Sequence, residues 1–550
     1  MSRFFRGSHG DFLINLVVLI LCGLSASVRN SKHNLQKNSI FENLKTNDSK
    51  FLVYTSYIVL LILGLYHHEM WRDEYEEYLQ ARDAEGLFGL GNTMSQGHAM
   101  LWQGCLWVIT RFTHNPVAMK IFHGLIAASF AFVLIFKSPF KLWQSGLLLL
   151  SYFLLFEYAV ISRCYAFGVL LFMVFALNYT KNQRLTWKTG IILFLLANTS
   201  IYAMMLTTVL VGWLFFMEVI LGKEDWKVKL SERLPVLVLA GCGILLAYLQ
   251  IRPQPDNTFP IHRVLLPFNV YRYDVALSQF FSAFVPIVKI QNQHFWNTNI
   301  LSNADGISMR VFPILALILT TLPFINKNSI LVLWLGGIIA VLFFQYHTGF
   351  YFARYYGHFF LWWLVCMWLL TAIDKPDKLN RNIRLAVFCL VLVSQSIGGI
   401  LIYAADWNKK FSRGAEAAHF LKTNGYAKKY MIGSVDFALS PIAAELDKKI
   451  YTMQHKKLGS YTKWDKERLN SMDSADIVEA LESGPPNETM IFIATHPIPQ
   501  FEYFKAMEEK RPLKREFVFA NYTFNCLAYF KPGVEYYEGY WLFKVDRIGK

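Results

Sequence analysis

Long apolar runs separated by short polar loops fill residues 1–404 of the chain. An apolar run of about 20 residues is the signature of a membrane-spanning helix. Several runs are shorter than this, so tilted or re-entrant segments are expected among them. We predict a polytopic α-helical membrane protein of about 11–12 spans, with spans at 51–66, 116–136, 144–160, 165–178, 189–200, 203–221, 235–250, 309–325, 329–346, 359–373 and 385–404. A further apolar run, 12–28, reads equally as a span, an interfacial helix or a signal-like segment.

The pattern changes after residue 404. Helical patterns in GAEAAHFLKTNG and ADIVEALESG alternate with strand-like runs YMIGSV, TMIFIA, REFVFANY and YWLFKV, which predicts a small α/β domain over 405–550. We divide the rest of the chain into an N-terminal apolar segment and basic linker, 1–50, and a transmembrane domain, 51–404. Within the long loop 251–308, the run VALSQFFSAFVPIVK predicts an amphipathic helix on the membrane surface.

Charge distribution predicts the topology. The chain is 54% hydrophobic, only 17% charged, and carries a net charge of +15. Lys and Arg concentrate in the short loops 137–143, 179–188, 222–234 and 374–384, which are therefore expected to be cytoplasmic. The alternating loops 67–115, 251–308 and 347–358 then lie outside, together with the C-terminal domain. Loop topology explains the positive excess better than nucleic-acid binding does.

An acidic cluster follows the span 51–66, in the stretch HHEMWRDEYEEYLQARD. Its simplest interpretation is a solvated helix start, because acids are favourable near a helix N-terminus. On the outer face of a membrane, however, one or two carboxylates could act as a general base or hold a divalent cation. The family resemblance described below singles out Asp73 and Glu74 as the candidates for both roles. The remaining acids are interpreted as a charged collar; they are Glu69, Glu76, Glu77, Asp83 and Glu85.

Three basic residues fall on the same predicted side: His98, Arg163 and Arg354. Arginine suits phosphate recognition because its planar guanidinium can bond two oxygens at once. Taken singly, each could also be an interfacial side chain or part of a structural ion pair. The predicted span centres are nearly free of ionisable residues, whereas ion-coupled transporters place such groups near the midplane. This favours chemistry at the membrane surface over transport.

These stretches, in this order, resemble the class C multi-spanning glycosyltransferases (the GT-C fold), which include protein O-mannosyltransferases and the lipid A aminoarabinose transferase. The likeness rests on RDEYEEYLQARD, the histidine of SQGHAMLWQ, SRCYAFGVL and ARYYGHFFLWWLVCMWL. The layout is also similar, with a bundle of spans followed by an extracytoplasmic α/β domain. Two departures are Ala99 and Met100, which follow His98 where the family usually has two prolines, and the additional run 12–28.

The resemblance implies a transferase that takes a sugar from a polyprenyl-phosphate carrier, with 51–404 as the catalytic domain. Arg163 and Arg354, aided by His98, would hold the donor phosphate. Asp73 would deprotonate the acceptor hydroxyl, with inversion at the sugar, while Glu74 would orient the reactants or share a metal ion. Further candidates for a second carboxylate or for acceptor contacts are Glu157, Tyr165, Lys289, His294 and His358.

Other functions stay open on the sequence alone. A transporter or flippase for a lipid-linked sugar, a polymerase or ligase of lipid-linked glycans, and a non-catalytic assembly protein are the alternatives. The expected partners are the bilayer, a lipid-linked sugar donor and a glycan, lipid or protein acceptor, without nucleic acid. The expected location is a bacterial inner membrane with the site facing the periplasm, although the topology fits an endoplasmic reticulum lumen equally. The sequence specifies neither the sugar nor the acceptor.

Overall fold

The chain forms two compact units in a computed structural model that describes residues 39–87, 89–93, 98–252, 255–258, 267–301 and 304–549. The predicted segment 12–28 lies outside the described residues. The first unit comprises Met1–His67, Ile121–Ile251 and Ile261–Trp407, and the second comprises His68–Lys120, Arg252–Pro260 and Asn408–Lys550. The second unit thus contains the first long loop as well as the C-terminal residues.

Helices account for nearly all regular structure in the residues described for the first unit. Those of α-helical form are Ser39–His67, Val117–Phe136, Leu142–Leu149, Tyr165–Asn182, Trp187–Ala197, Ile201–Leu214, Trp226–Val228, Leu234–Ile251, Val270–Phe284, Ser308–Thr321, Asn328–Thr348, Ala353–Ile373 and Lys378–Asn408. π-Helical turns cover Tyr152–Glu157, Phe215–Ile220 and Lys229–Arg233, and a 3₁₀ turn covers Leu322–Phe324.

Seven helices in the described part of the chain are long and apolar enough to cross a membrane, judged by length and composition. They are Asn47–His67, Val117–Phe136, Ile201–Ile220, Trp226–Ile251, Asn328–Thr348, Ala353–Ile373 and Lys378–Asn408. A helix of 20 residues rises about 30 Å, which matches a hydrocarbon core. These lengths are compatible with a polytopic helical protein, and shorter apolar helices lie at Leu101–Thr110, Trp187–Ala197 and Ser308–Phe324.

The predicted span 144–160 is not one continuous helix. Helix Leu142–Leu149 ends, and Ser151 starts a π-helical turn, Tyr152–Glu157, by accepting a hydrogen bond from the Leu154 amide (3.2 Å). Another helix crosses this break closely, since a Cβ on Gly399 would lie 2.1 Å from the Leu150 carbonyl oxygen. The break leaves a buried, non-helical segment before residue 165, and this segment carries part of the candidate site.

Helix Ala353–Ile373 is the core of the first unit, with most of its residues buried on all sides. Its indoles satisfy their donors on neighbouring helices: Trp363 donates to the Thr320 carbonyl (3.0 Å) and Trp362 to that of Leu333 (3.2 Å). The predicted amphipathic run 275–289 is helical only as far as Phe284, in the helix Val270–Phe284. This helix packs against the core helix and Ser308–Thr321, and most of its residues from Asp274 onward are buried. Its position on a membrane surface stays a prediction.

A seven-stranded mixed sheet forms the centre of the second unit, in the order β3-β2-β1-β4-β7-β6-β5. Its strands are β1 Tyr430–Gly433, β2 Ile450–Thr452, β3 Lys457–Gly459, β4 Met490–Ala494, β5 Glu516–Phe519, β6 Tyr522–Phe530 and β7 Tyr540–Arg547. β1 is parallel to β2 and β4, and the other pairs are antiparallel. The four strand-like runs identified in the sequence are β1, β4, β5 and β7, so the C-terminal sheet domain is confirmed.

Helices cover this sheet, and aromatic side chains fill the space between them. The described α-helices of the unit are Arg72–Asp83, Leu90–Thr93, Leu101–Thr110, Gly414–Thr423, Ser440–Glu445, Ser474–Glu482 and Glu502–Glu508, and a 3₁₀ turn covers Asp436–Ala438. Phe492, Phe524 and Phe543 meet Phe501 in a buried cluster. The helix Arg72–Asp83, called the acidic helix below, packs against Ser440–Glu445.

Candidate functional site

The predicted site residues fall into two groups. Arg163, Arg354 and all five of the further candidates belong to the first unit, whereas Asp73, Glu74 and His98 belong to the second. Each unit has a polar cluster of its own.

Arg163 and Arg354 are both buried in the first unit, at 3% and 7% exposure. The guanidinium carbon of Arg163 lies 5.9 Å from the centre of the Tyr165 ring, and that of Arg354 lies 4.9 Å from the Tyr355 ring. These two rings are themselves 6.3 Å apart. Both guanidinium groups therefore pack on one pair of aromatic rings, in an environment where a cation interacts favourably with the ring faces.

A buried carboxylate accompanies them. Glu157 is 1% exposed and accepts a hydrogen bond from the indole nitrogen of Trp296 (3.0 Å). The Trp296 ring lies 5.7 Å from the guanidinium carbon of Arg354. Two guanidinium groups and one carboxylate leave this set of side chains with one excess positive charge. In a medium of low dielectric constant, that excess attracts an anion more strongly than it would in water.

The long loop between the spans holds Trp296 in place through its own hydrogen bonds. The Lys289 amide donates to Thr298 Oγ1 (3.0 Å), and Asn297 Oδ1 accepts from the Ala353 amide (2.8 Å) at the start of the core helix. The loop is thus attached directly beside Arg354. Lys289 and His294 lie half-buried in the same loop, and a role for either in ligand contact stays a prediction.

His358 lies one turn after Arg354 on the core helix. Its ring stacks on Tyr202, with centroids 5.0 Å apart, and lies 5.8 Å from Tyr165. Nδ1 of His358 is 3.0 Å from the Tyr355 carbonyl oxygen. In the tautomer that carries its proton on Nδ1, this N–H donates to the backbone carbonyl. His358 therefore packs against Tyr165, one of the two rings next to which the arginines lie.

A close backbone approach fixes the turn that carries Arg354. The Tyr158 hydroxyl donates to the Arg354 carbonyl (3.0 Å). A Cβ on Gly357 would lie 2.3 Å from that hydroxyl and 2.5 Å from Phe153, so a side chain at this position could not be accommodated. The first-unit cluster accordingly brings together five predicted residues: Glu157, Arg163, Tyr165, Arg354 and His358.

The acidic helix begins with two carboxylates in different environments. Glu74 is buried, and its Oε2 accepts the Trp71 amide (3.1 Å) and lies 3.3 Å from His68 Nε2. Asp73 is 26% exposed, with Oδ1 3.6 Å from Arg72 Nε. Consecutive residues of a helix point about 100° apart, and Glu74 is committed to the helix start. This geometry favours Asp73 as the reactive group, and a divalent cation shared by both stays a prediction.

Glu76 anchors the acidic helix to the α/β fold. Its carboxylate accepts from Ser440 Oγ (2.7 Å) and from the Thr462 amide (2.6 Å). Burial raises the pKa of Glu76 to about 8, against the lowering effect of these two bonds. One residue earlier, the Tyr75 hydroxyl donates to Glu445 Oε1 (2.6 Å). Glu76, which was interpreted from the sequence as part of a solvated collar, is therefore a buried residue that anchors the acidic helix.

Arg72 and Glu538 fix the first turn of the same helix. The Arg72 amide donates to Glu538 Oε1 (2.7 Å), and the other oxygen of Glu538 accepts from the Ser412 hydroxyl. Burial raises the pKa of the Glu538 carboxyl above its ordinary value. The Arg72 guanidinium lies 4.9 Å from the Phe437 ring and 5.3 Å from that of Tyr537. The turn that presents Asp73 is thereby rigidly positioned within the second unit.

Other acids of the cluster also have partners in this unit. Glu69 binds Lys410 (2.5 Å), and Asp83 binds the Arg82 side chain (2.7 Å). His98, predicted to assist with phosphate, lies with Nε2 3.9 Å from an oxygen of the buried Glu77. A role for His98 in holding phosphate stays a prediction.

Comparison with known proteins adds no assignment to this geometry: no protein-family model, curated sequence or solved structure matches the chain.

Proposed function

We propose that the protein is an integral membrane glycosyltransferase that moves a sugar from a polyprenyl-phosphate donor to an extracytoplasmic acceptor. Seven apolar helices of membrane-spanning length and the alternation of basic loops support insertion in a bilayer. We infer a bacterial inner membrane, with Asp73 and the C-terminal domain facing the periplasm. The acceptor is a glycan, a lipid or a protein.

The observation that carries the proposal is the buried pair Arg163 and Arg354. Both guanidinium groups lie in a buried region next to neighbouring aromatic rings, where the attraction between a cation and an anionic group is stronger than in water. A phosphate diester at the head of a lipid is such an anion, and guanidinium groups bind its oxygens in pairs. Trp296 adds an apolar surface next to the cations, as a ligand with an apolar tail would require.

The chemistry follows from these charges. We assign Asp73 as the base that accepts the proton of the acceptor hydroxyl. The acceptor oxygen forms a bond to the anomeric carbon, while the bond from that carbon to the phosphate oxygen breaks. Polyprenyl phosphate leaves with the bonding electrons, stabilised by Arg163 and Arg354. Attack opposite the leaving group inverts the anomeric configuration.

The neighbouring residues then have positioning roles. Trp296 lies against the Arg354 guanidinium and donates to Glu157. Tyr165 and Tyr355 provide the aromatic rings next to which the two guanidinium groups lie, and His358 packs against Tyr165. Glu74 caps the helix that presents Asp73.

The test uses purified full-length protein in proteoliposomes containing a radiolabelled undecaprenyl-phosphate sugar, with native membranes as the source of acceptor. Wild type should release undecaprenyl phosphate and label an acceptor. Asp73→Asn should lower the transfer rate roughly 10²–10⁴-fold, the usual contribution of a general base. Arg163→Lys and Arg354→Lys should each lower it about 10²-fold through weaker stabilisation of the leaving group.

Two exposed residues outside these clusters provide matched controls, because Glu488→Gln and Arg381→Lys make the same chemical changes there. Equal rates for Asp73→Asn and wild type would refute the catalytic assignment. Movement of the labelled lipid across the vesicle bilayer without release of lipid phosphate would instead identify a flippase.

A further inference from the structure

A cavity of about 350 Å³ lies in the first unit, at the turn between helices Tyr165–Asn182 and Trp187–Ala197. Its lining residues are Asn178, Lys181, Asn182, Thr186, Trp187 and Lys188. The first of these helices has 18 residues and rises about 27 Å. Because Arg163 precedes its opposite end, the cavity is separate from the arginine cluster.

Hydrogen bonds within the turn hold the walls of this cavity. Asn178 Nδ2 donates to Thr189 Oγ1 (2.8 Å), and the Thr189 amide donates to Thr186 Oγ1 (3.3 Å). Gln183 adopts a left-handed conformation (φ +50°) and ends the helix by donating its amide to the Tyr179 carbonyl (2.8 Å). The polar groups around the cavity are therefore fixed relative to one another before any ligand binds.

A buried arginine supports the turn from behind. Arg233 is 3% exposed and donates from Nη1 to the Leu185 carbonyl (3.0 Å). The same guanidinium binds Glu224 and lies 3.9 Å from Glu218, which also accepts from the Tyr179 hydroxyl (3.0 Å). The carboxylates of Glu218, Glu224 and Glu232 all bind Arg233 behind the turn, and none of these acids is among the residues that line the cavity.

The charged residues that line the cavity are both basic. Residues 178–190 contain Lys181, Arg184 and Lys188 but no acid. Both lysines are exposed, and the Trp187 indole is 58% exposed. An exposed tryptophan beside lysines at the ends of apolar helices is typical of the membrane–water interface. Basic pockets between membrane helices on the predicted cytoplasmic side bind anionic head groups.

We propose that this cavity binds the phosphate group of an anionic phospholipid head group, with Lys181 and Lys188 as its cationic contacts. Asn178 and Asn182 donate their side-chain amides to other groups of the turn, so the two lysines are the contacts for phosphate oxygens. Trp187 distinguishes a lipid from free phosphate, because its exposed ring offers an apolar contact to the glycerol and upper acyl region. The site is independent of the proposed transfer reaction.

Native mass spectrometry of the delipidated full-length protein, titrated with phosphatidylglycerol, measures this binding. The double variant Lys181→Gln and Lys188→Gln should weaken the affinity of the tightest binding event about 30-fold, because each lysine contributes roughly a fivefold factor to the affinity. The matched double variant Lys223→Gln and Lys227→Gln removes the same charge from another basic loop and should leave that event unchanged. The charge-preserving double variant Lys181→Arg and Lys188→Arg should retain the affinity.

Three outcomes would overturn the proposal. Equal weakening in both glutamine double variants would mean diffuse attraction to anionic lipid. Equally tight binding of phosphatidylcholine would mean that head-group charge is not recognised. Displacement of the lipid by low-millimolar inorganic phosphate would assign the cavity to the free anion. Matching melting temperatures of all variants would show that each is folded.

Discussion

Replacing Glu76 with glutamine separates the anchoring role of this side chain from its charge. Glutamine has nearly the same shape, so its oxygen can still accept from the Thr462 amide, and its NH₂ group can donate to Ser440 Oγ. Only the titratable proton is lost. The acidic helix should therefore remain docked on the α/β fold in the variant.

The magnitude follows from the pKa of the buried carboxyl, which rises from an ordinary value of 4.5 to about 8. Because the folded state binds this proton more tightly than the unfolded state does, proton binding stabilises the fold. The contribution is complete below pH 4.5 and is lost as the pH rises through 8. Each tenfold change in the acid dissociation constant corresponds to about 1.4 kcal/mol, so wild type loses roughly 3–4 kcal/mol from this group between pH 5 and pH 8. The glutamine variant loses none of it.

Melting temperatures of the purified protein in detergent, followed by intrinsic fluorescence between pH 5 and pH 9, measure the difference. For a unit of roughly 200 residues, 1 kcal/mol shifts the midpoint by about 2–4 °C. The advantage of Glu76→Gln over wild type should therefore grow by roughly 7–14 °C from pH 5 to pH 8. Glu85→Gln, at an exposed position, should run parallel to wild type. A difference between Glu76→Gln and wild type that is constant with pH would refute this account.

Two further substitutions test the packing of the first unit. Gly337→Ala should lower the melting temperature by an amount equivalent to about 1–3 kcal/mol, because its Cβ would lie 2.1 Å from Trp362 Nε1. The control Gly241→Ala should leave the melting temperature unchanged, because its Cβ meets nothing within 4 Å. Equal melting temperatures of the two variants would contradict the packing. Trp296→Phe should destabilise the unit by about 2 kcal/mol, since it removes the hydrogen bond to the buried Glu157 carboxylate. An unchanged melting temperature would show that this bond contributes little.

Sequence periodicity predicted the helices and strands that are determined by local pattern. Helical segments overlap the predicted spans from 51–66 to 385–404, except that 144–160 is interrupted, and the four strand-like runs became strands. The break near Leu150 was not predictable, because a single serine in the largely apolar run LLLLSYFLLFEY does not by itself indicate the end of a helix. A π-helical turn there reflects tertiary packing against Gly399, which no local pattern encodes.

The candidate site was predictable only in part, for a similar reason. Arg163 and Arg354 stand out as lone cations near long apolar runs. Trp296 was missed, because an aromatic residue in the polar stretch QNQHFWNTN resembles ordinary loop composition. Glu76 was misinterpreted, since charge suggests exposure and its partners Ser440 and Thr462 are 364 and 386 residues away in sequence.

The docking of the acidic helix also bears on how the protein is made. The Arg72 amide and the Glu538 carboxylate that accepts its hydrogen bond are 466 residues apart. A ribosome must therefore synthesise nearly the whole chain before this helix can reach its place beside the sheet. Until then, Glu76 and Tyr75 lack the surface that buries them. Chaperone binding during synthesis and sensitivity to C-terminal truncation should consequently centre on this early segment, because contacts so distant in sequence form late.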